Sequence, residues 1–69
     1  MLEEIHELIA DSEGERLDKY IAFKLPPFSR SYIQKLIDEG RVTVNNRIEK
    51  ASFKVGVGDA IVIHVPYGD

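Results

Sequence analysis

Ser29-Arg30-Ser31-Tyr32-Ile33-Gln34-Lys35-Leu36-Ile37-Asp38-Glu39-Gly40-Arg41-Val42-Thr43-Val44-Asn45-Asn46 changes its hydrophobic period at a glycine, and that change decides the fold class. Ile33, Leu36 and Ile37 recur at the i, i+3 and i+4 spacing of one helix face. Ser29 precedes them where a hydroxyl can cap the free amides of a first turn, and Phe28 and Ile33 bracket that cap with the spacing of a hydrophobic staple. Gly40 stands where a helix ends in a left-handed turn. Beyond it Val42 and Val44 alternate with Arg41 and Thr43, a strand's period of two, and Asn45-Asn46 tolerates the positive φ of a tight turn. Residues 29–46 thus read as capped helix, glycine stop, strand and hairpin turn.

Upstream, Leu17, Tyr20 and Ile21 form a shorter helical stripe that Pro26-Pro27 must terminate, which predicts a first helix over Arg16 to Lys24. Downstream, Phe53, Val55 and Val57 alternate as a further strand would. Gly56 and Gly58-Asp59 then punctuate a loop before Ala60 to Val65. In that last strand Ile61, Ile63 and Val65 face one way, Val62 and His64 the other. Residues 2–10 are ambiguous: Leu2, Ile5, Leu8 and Ile9 fit a helical stripe, and Ile5 to Ala10 also fits an edge strand. The expected whole is a small single α+β domain, two short packed helices followed by a three- or four-stranded antiparallel sheet. Residues 1–13 form an acidic leader, 14–66 the domain, and 67–69 a linker or cut end.

The chain has 69 residues, 43% hydrophobic and 30% charged, with no cysteine. Those proportions belong to a globule and not to a disordered tail. A chain this short buries only about 60% of its unfolded surface, so its core is marginal. Without cysteine there is neither a disulfide framework nor a thiolate zinc site. Its longest strongly apolar run, Ala60 to Ile63, is far short of the roughly 18 residues of a membrane span. The net charge of −3 is unevenly divided. Glu3, Glu4, Glu7, Asp11, Glu13 and Glu15 meet no base before Arg16. From Arg16 onward bases outnumber acids, so a mildly basic body follows an acidic leader and suits a polyanion on one face.

Residues suited to catalysis are few. His6 and His64 share no metal-ligand spacing, Ser29 and Ser31 lack a glycine elbow, and Gly56-Val57-Gly58 lies between strands with no helix start to receive an anion. No metal site, cofactor or small-molecule substrate is expected. The start of the second helix is richer. Ser29, Arg30 and Ser31 place amides, a guanidinium and hydroxyls at the positive end of a helix dipole. One turn on, Gln34 follows Arg30 and Lys35 follows Ser31, a polar stripe opposite Ile33, Leu36 and Ile37. On this reading Arg30 and Lys35 both face solvent, and replacing either costs contact with a polyanion but no stability.

Arg16-Leu17-Asp18-Lys19-Tyr20-Ile21, Ser29-Arg30-Ser31, Lys35-Leu36-Ile37, Gly40-Arg41-Val42-Thr43-Val44-Asn45, Lys50 and Gly58-Asp59-Ala60-Ile61 together resemble the RNA-binding domain named after ribosomal protein S-four, also called the alpha-L motif. The resemblance covers residues 14 to 66 and rests on six short motifs in the family's order and spacing. The entry at Gly14 to Asp18 and the close at Ile63 to Pro66 are most similar to the version at the N-terminus of large-subunit ribosomal-RNA pseudouridine synthases. Lys50-Ala51-Ser52 departs from that version, which often has proline in the middle.

The resemblance implies that the leader is an edge strand. It also implies that Arg16, Ser29, Arg30, Ser31, Gln34 and Lys35 meet the phosphate backbone of structured, ribosomal RNA, with Arg41 and Lys50 extending the patch from the sheet. The synthases' catalytic aspartate lies in an Arg-Leu-Asp that precedes Thr-Ser-Gly. Here Arg16-Leu17-Asp18 precedes Lys19-Tyr20-Ile21, so Asp18 reads as a first-turn acid favoured by the helix dipole and this chain is expected to do no chemistry itself. The expected protein is a cytoplasmic, monomeric targeting module of a pseudouridine synthase. A free-standing RNA or ribosome binder, a domain that lends residues to an attached active site, and a protein-interaction domain using the acidic leader are the alternatives.

Overall fold

The computed structural model describes residues 3–66, so Leu2 and the linker reading of 67–69 lie outside it. Its elements in chain order are β1 (Glu3–Ile9), α1 (Leu17–Lys24), α2 (Arg30–Asp38), β2 (Val42–Val44), β3 (Arg47–Ile48) and β4 (Ala60–Pro66). The strands form one antiparallel sheet in the order β1-β4-β2-β3, and the two helices cover one face of it. The architecture is α+β.

The helix boundaries follow from local chemistry. Ser29 is the N-cap of α2, its Oγ accepting the Tyr32 amide at 3.1 Å. Gly40, at φ +76°, closes the other end: its amide donates to the Ile37 carbonyl and the Arg41 amide to that of Leu36, both at 3.0 Å. That pair of bonds is a Schellman motif, and it needs the left-handed conformation glycine adopts without penalty. α1 stops at Lys24 because Leu25 precedes Pro26 and leaves the helical region at ψ 71°.

β2 and β3 make the expected hairpin, with Asn45 and Asn46 both at positive φ, 51° and 69°. Asn45 also holds β4: its Oδ1 accepts the Ala60 amide at 3.0 Å and its Nδ2 donates to Asp59 Oδ1 at 3.0 Å. As the alternation in β4 indicates, Ile61, Ile63 and Val65 are buried while Val62 and His64 lie on the other face. They pack with Val42 and Val44 against Leu17, Tyr20, Ile21, Ile33, Leu36 and Ile37.

One expectation changes. Phe53, Val55 and Val57 do not form a strand of the sheet. Their segment runs instead along the chain entering α1, with Leu17 N donating to Phe53 O at 2.7 Å, Gly14 N to Val55 O at 2.8 Å and Val55 N to Glu15 O at 2.9 Å. Only Val55 is buried; Val57 is 66% exposed. The alternation is genuine extended backbone, but its partner is residues 14–17, and the hairpin partner of β2 is the short β3. Of residues 2–10, Glu3–Ile9 form the strand β1, the edge-strand alternative, paired along its whole length with β4; the register sets Ile5 opposite His64 on the outer face, where Ile5 is 54% exposed. Leu8, opposite Ile61, is the residue that packs on the core.

Candidate nucleic-acid interface

The polar residues of α1 and α2 converge on one carboxylate. Asp18, in the first turn of α1, is fully buried. Its Oδ1 accepts Arg16 Nε at 3.2 Å and the Lys19 amide at 2.8 Å; its Oδ2 accepts Arg16 Nη2 at 3.3 Å, Arg30 Nε at 3.1 Å and Gln34 Nε2 at 2.6 Å. Burial alone pushes this carboxyl upward. The bonds from Gln34, Arg30, Arg16 and the Lys19 amide outweigh it and hold the group at about 2, below the ordinary 3.8. Asp18 is therefore an anion at every physiological pH.

Two guanidiniums on one carboxylate leave a local surplus of positive charge. The guanidiniums face outward from their anchor, with the Arg16 and Arg30 side chains 42% and 48% exposed. Arg30 commits one of its five N–H donors to Asp18 and keeps the rest for an external oxygen; Arg16 commits two. Because the anchor is rigid, less side-chain entropy remains to be lost when an oxyanion arrives.

The other expected residues divide. Ser29 spends its hydroxyl on the α2 cap, and Ser31 and Lys35 lie exposed one turn apart on the outer face of α2, which Asp38 shares. Lys50 is exposed and comes next to the interface through the backbone, since the Asp18 amide donates to the Ala51 carbonyl at 3.3 Å. The Ala51-Ser52 turn that replaces the proline version is closed by Phe53 N to Lys50 O at 3.0 Å. Arg41 lies apart, beyond the far end of α2, about 13 Å of helix from Arg30. Its Nε is paired with Glu39 Oε1 at 3.0 Å, which offsets its charge.

Asp18 stands in the first turn of α1, as the sequence indicated; what the sequence did not indicate is that it is buried and organises the interface. Arg30 and Gln34 accordingly turn toward α1 and do not simply face solvent. Lys54 escaped notice; it is exposed and bridges backbone to backbone with Arg16, which brings it beside the same helix start. No sequence signal pointed to it, because Lys54 lies 38 residues after Arg16 and meets it only through the fold.

The sequence profile of the S4 domain family matches residues 15–61. A protein of Aquifex aeolicus described as an uncharacterized RNA pseudouridine synthase is 46% identical over 66 residues, 94% of this chain and 21% of the relative. One of Bacillus subtilis with the same description is 34% identical over 56 residues, 81% of this chain and 18% of the relative. Ribosomal large subunit pseudouridine synthase C of Vibrio vulnificus is 30% identical over 60 residues, 87% of this chain and 19% of the relative. The chain thus spans about a fifth of the length of the curated relatives it matches. It belongs to the S4 domain family.

Proposed function

We propose that this chain is an RNA-binding module that docks on structured ribosomal RNA and, in the longer protein, delivers a pseudouridine synthase domain to its uridine. The observation that carries this reading is the pair of guanidiniums fixed on buried Asp18 at the adjoining starts of α1 and α2. Arg16, Arg30 and Lys35 supply charge to phosphate oxygens, while Ser31 and Gln34 supply uncharged polar groups beside them. Lys50 and Lys54 continue the patch across the loop that runs along the α1 entry. Such contacts read backbone shape and fix orientation, as A-form RNA requires, and leave the choice of uridine to the attached domain.

Titration with a labelled ribosomal-RNA stem-loop across a salt series tests it. Neutralising about four phosphates gives a slope of log affinity against log salt of roughly −3 to −4. Lys35→Ala weakens binding without changing the melting temperature, whereas Arg30→Ala weakens binding and lowers stability through Asp18. Affinity that does not change with salt would reject the electrostatic interface.

A further inference from the structure

On the flank of α1 that turns away from Asp18, Phe23 is 76% exposed. A solitary exposed apolar residue is ordinary, but this one forms the edge of a cleft with an ordered floor. Lys24 Nζ lies 5.8 Å from the Phe23 ring centroid and 5.6 Å from that of Tyr20. It is held there by Asp11 Oδ2 at 3.0 Å, while the Tyr20 hydroxyl donates to Asp11 Oδ1 at 2.9 Å and accepts the Asp11 amide at 3.1 Å. Glu15 and Lys19 complete the rim. The cleft encloses about 340 Å³, within the roughly 300 to 1,000 Å³ of small-molecule sites.

We propose that this cleft takes an unpaired, amino-bearing nucleobase of the RNA held on the Arg16 and Arg30 face, an inference that rests on the proposed function. The Phe23 ring offers a free face for stacking, which any base can use. The carboxylates of Asp11 and Glu15 accept N–H groups, of which the amino-bearing bases adenine, cytosine and guanine offer at least two and uracil one, and this favours the amino-bearing bases. Lys19, one helical turn before Phe23 on the same exposed face, is placed for the phosphate of the stacked nucleotide. The two parts are continuous: the Lys19 amide is itself bonded to Asp18, and Arg16 and Phe23 are separated by only about 10 Å along α1.

The chain has three tyrosines but no tryptophan, so Phe23→Trp places in the cleft a single tryptophan that can be excited apart from them. Its emission and the anisotropy of labelled RNA are read together with three probes: a stem with an oligoadenosine loop, the same stem with an oligouridine loop, and the same stem as a blunt duplex. The expected result is that all three bind, that the adenosine loop quenches the tryptophan most and the duplex not at all, and that Phe23→Ala weakens the adenosine stem-loop about tenfold while leaving the duplex unchanged. Wild-type binding of the stem-loop by Phe23→Ala, with the emission of Phe23→Trp unmoved when that protein is saturated with RNA, overturns the base site and leaves the phosphate interface standing. Failure of every RNA to bind the wild-type protein overturns both. Because Phe23 is exposed, circular dichroism melting of both variants should match wild type, and a lower melting temperature would instead assign the ring to packing.

Discussion

Removing the charge of Asp18 without changing its shape separates its electrostatic role from its volume. Asp18→Asn leaves the Arg16 and Arg30 guanidiniums without their counter-ion and turns an amide group toward donors. We expect a loss of about 2 to 3 kcal/mol by urea denaturation, at the low end for a broken buried pair because both arginines stay half in water. The pH dependence has a definite sign. Asp18's folded value of about 2 lies below its ordinary 3.8, so its stabilisation is complete above about pH 4 and is lost as the pH falls through 2. The gap in melting temperature between wild type and Asp18→Asn should therefore be constant at neutral pH and close toward pH 2. A gap that stayed open at pH 2 would mean that Asp18 acts through packing alone.

Among the elements, α2 carries its own instructions at both ends, and each can be removed separately. Ser29→Ala should cost about 1 kcal/mol by loss of the cap, and Leu36→Ala about 2 to 5 kcal/mol by opening the core; thermal melts giving the reverse order would contradict the burial of Leu36. Such local signals are why α1, α2, the Asn45-Asn46 hairpin and the two faces of β4 were legible in the sequence. The segment from Lys50 to Asp59 was not, because its alternation shows extended backbone without saying which backbone it joins. Its partners lie about 40 residues earlier, at Gly14 to Leu17. The interface was half legible for the same reason. Arg16, Arg30 and Gln34 stood out by type and position, but their common anchor is 12 residues from Arg30 and 16 from Gln34, and nothing in the short Leu17-Asp18-Lys19 run marks its acid as buried.

For the whole molecule the acidic leader is structural. Among the described residues β1 is the neighbour of β4 on the side away from β2, and Leu8 covers part of the core. Deleting residues 1–13 should lower the melting temperature by roughly 10 °C or more. It should also raise affinity for arbitrary RNA and steepen its salt dependence, since Glu3, Glu4, Glu7 and Asp11 no longer oppose a polyanion. An unchanged melting temperature would show that β1 contributes nothing to stability. The pairing of Glu3 with Pro66 has a temporal side as well. About 50 residues separate Ile9 from Ala60, so at roughly 5 to 20 residues per second a ribosome needs about 3 to 10 s after making the first strand to make its partner. Throughout that interval the nascent strand has exposed backbone and no place in a sheet, and its three glutamates keep it from joining a neighbouring chain. Within residues 3–66, then, the fold closes late: the last strand made is the one that captures the first.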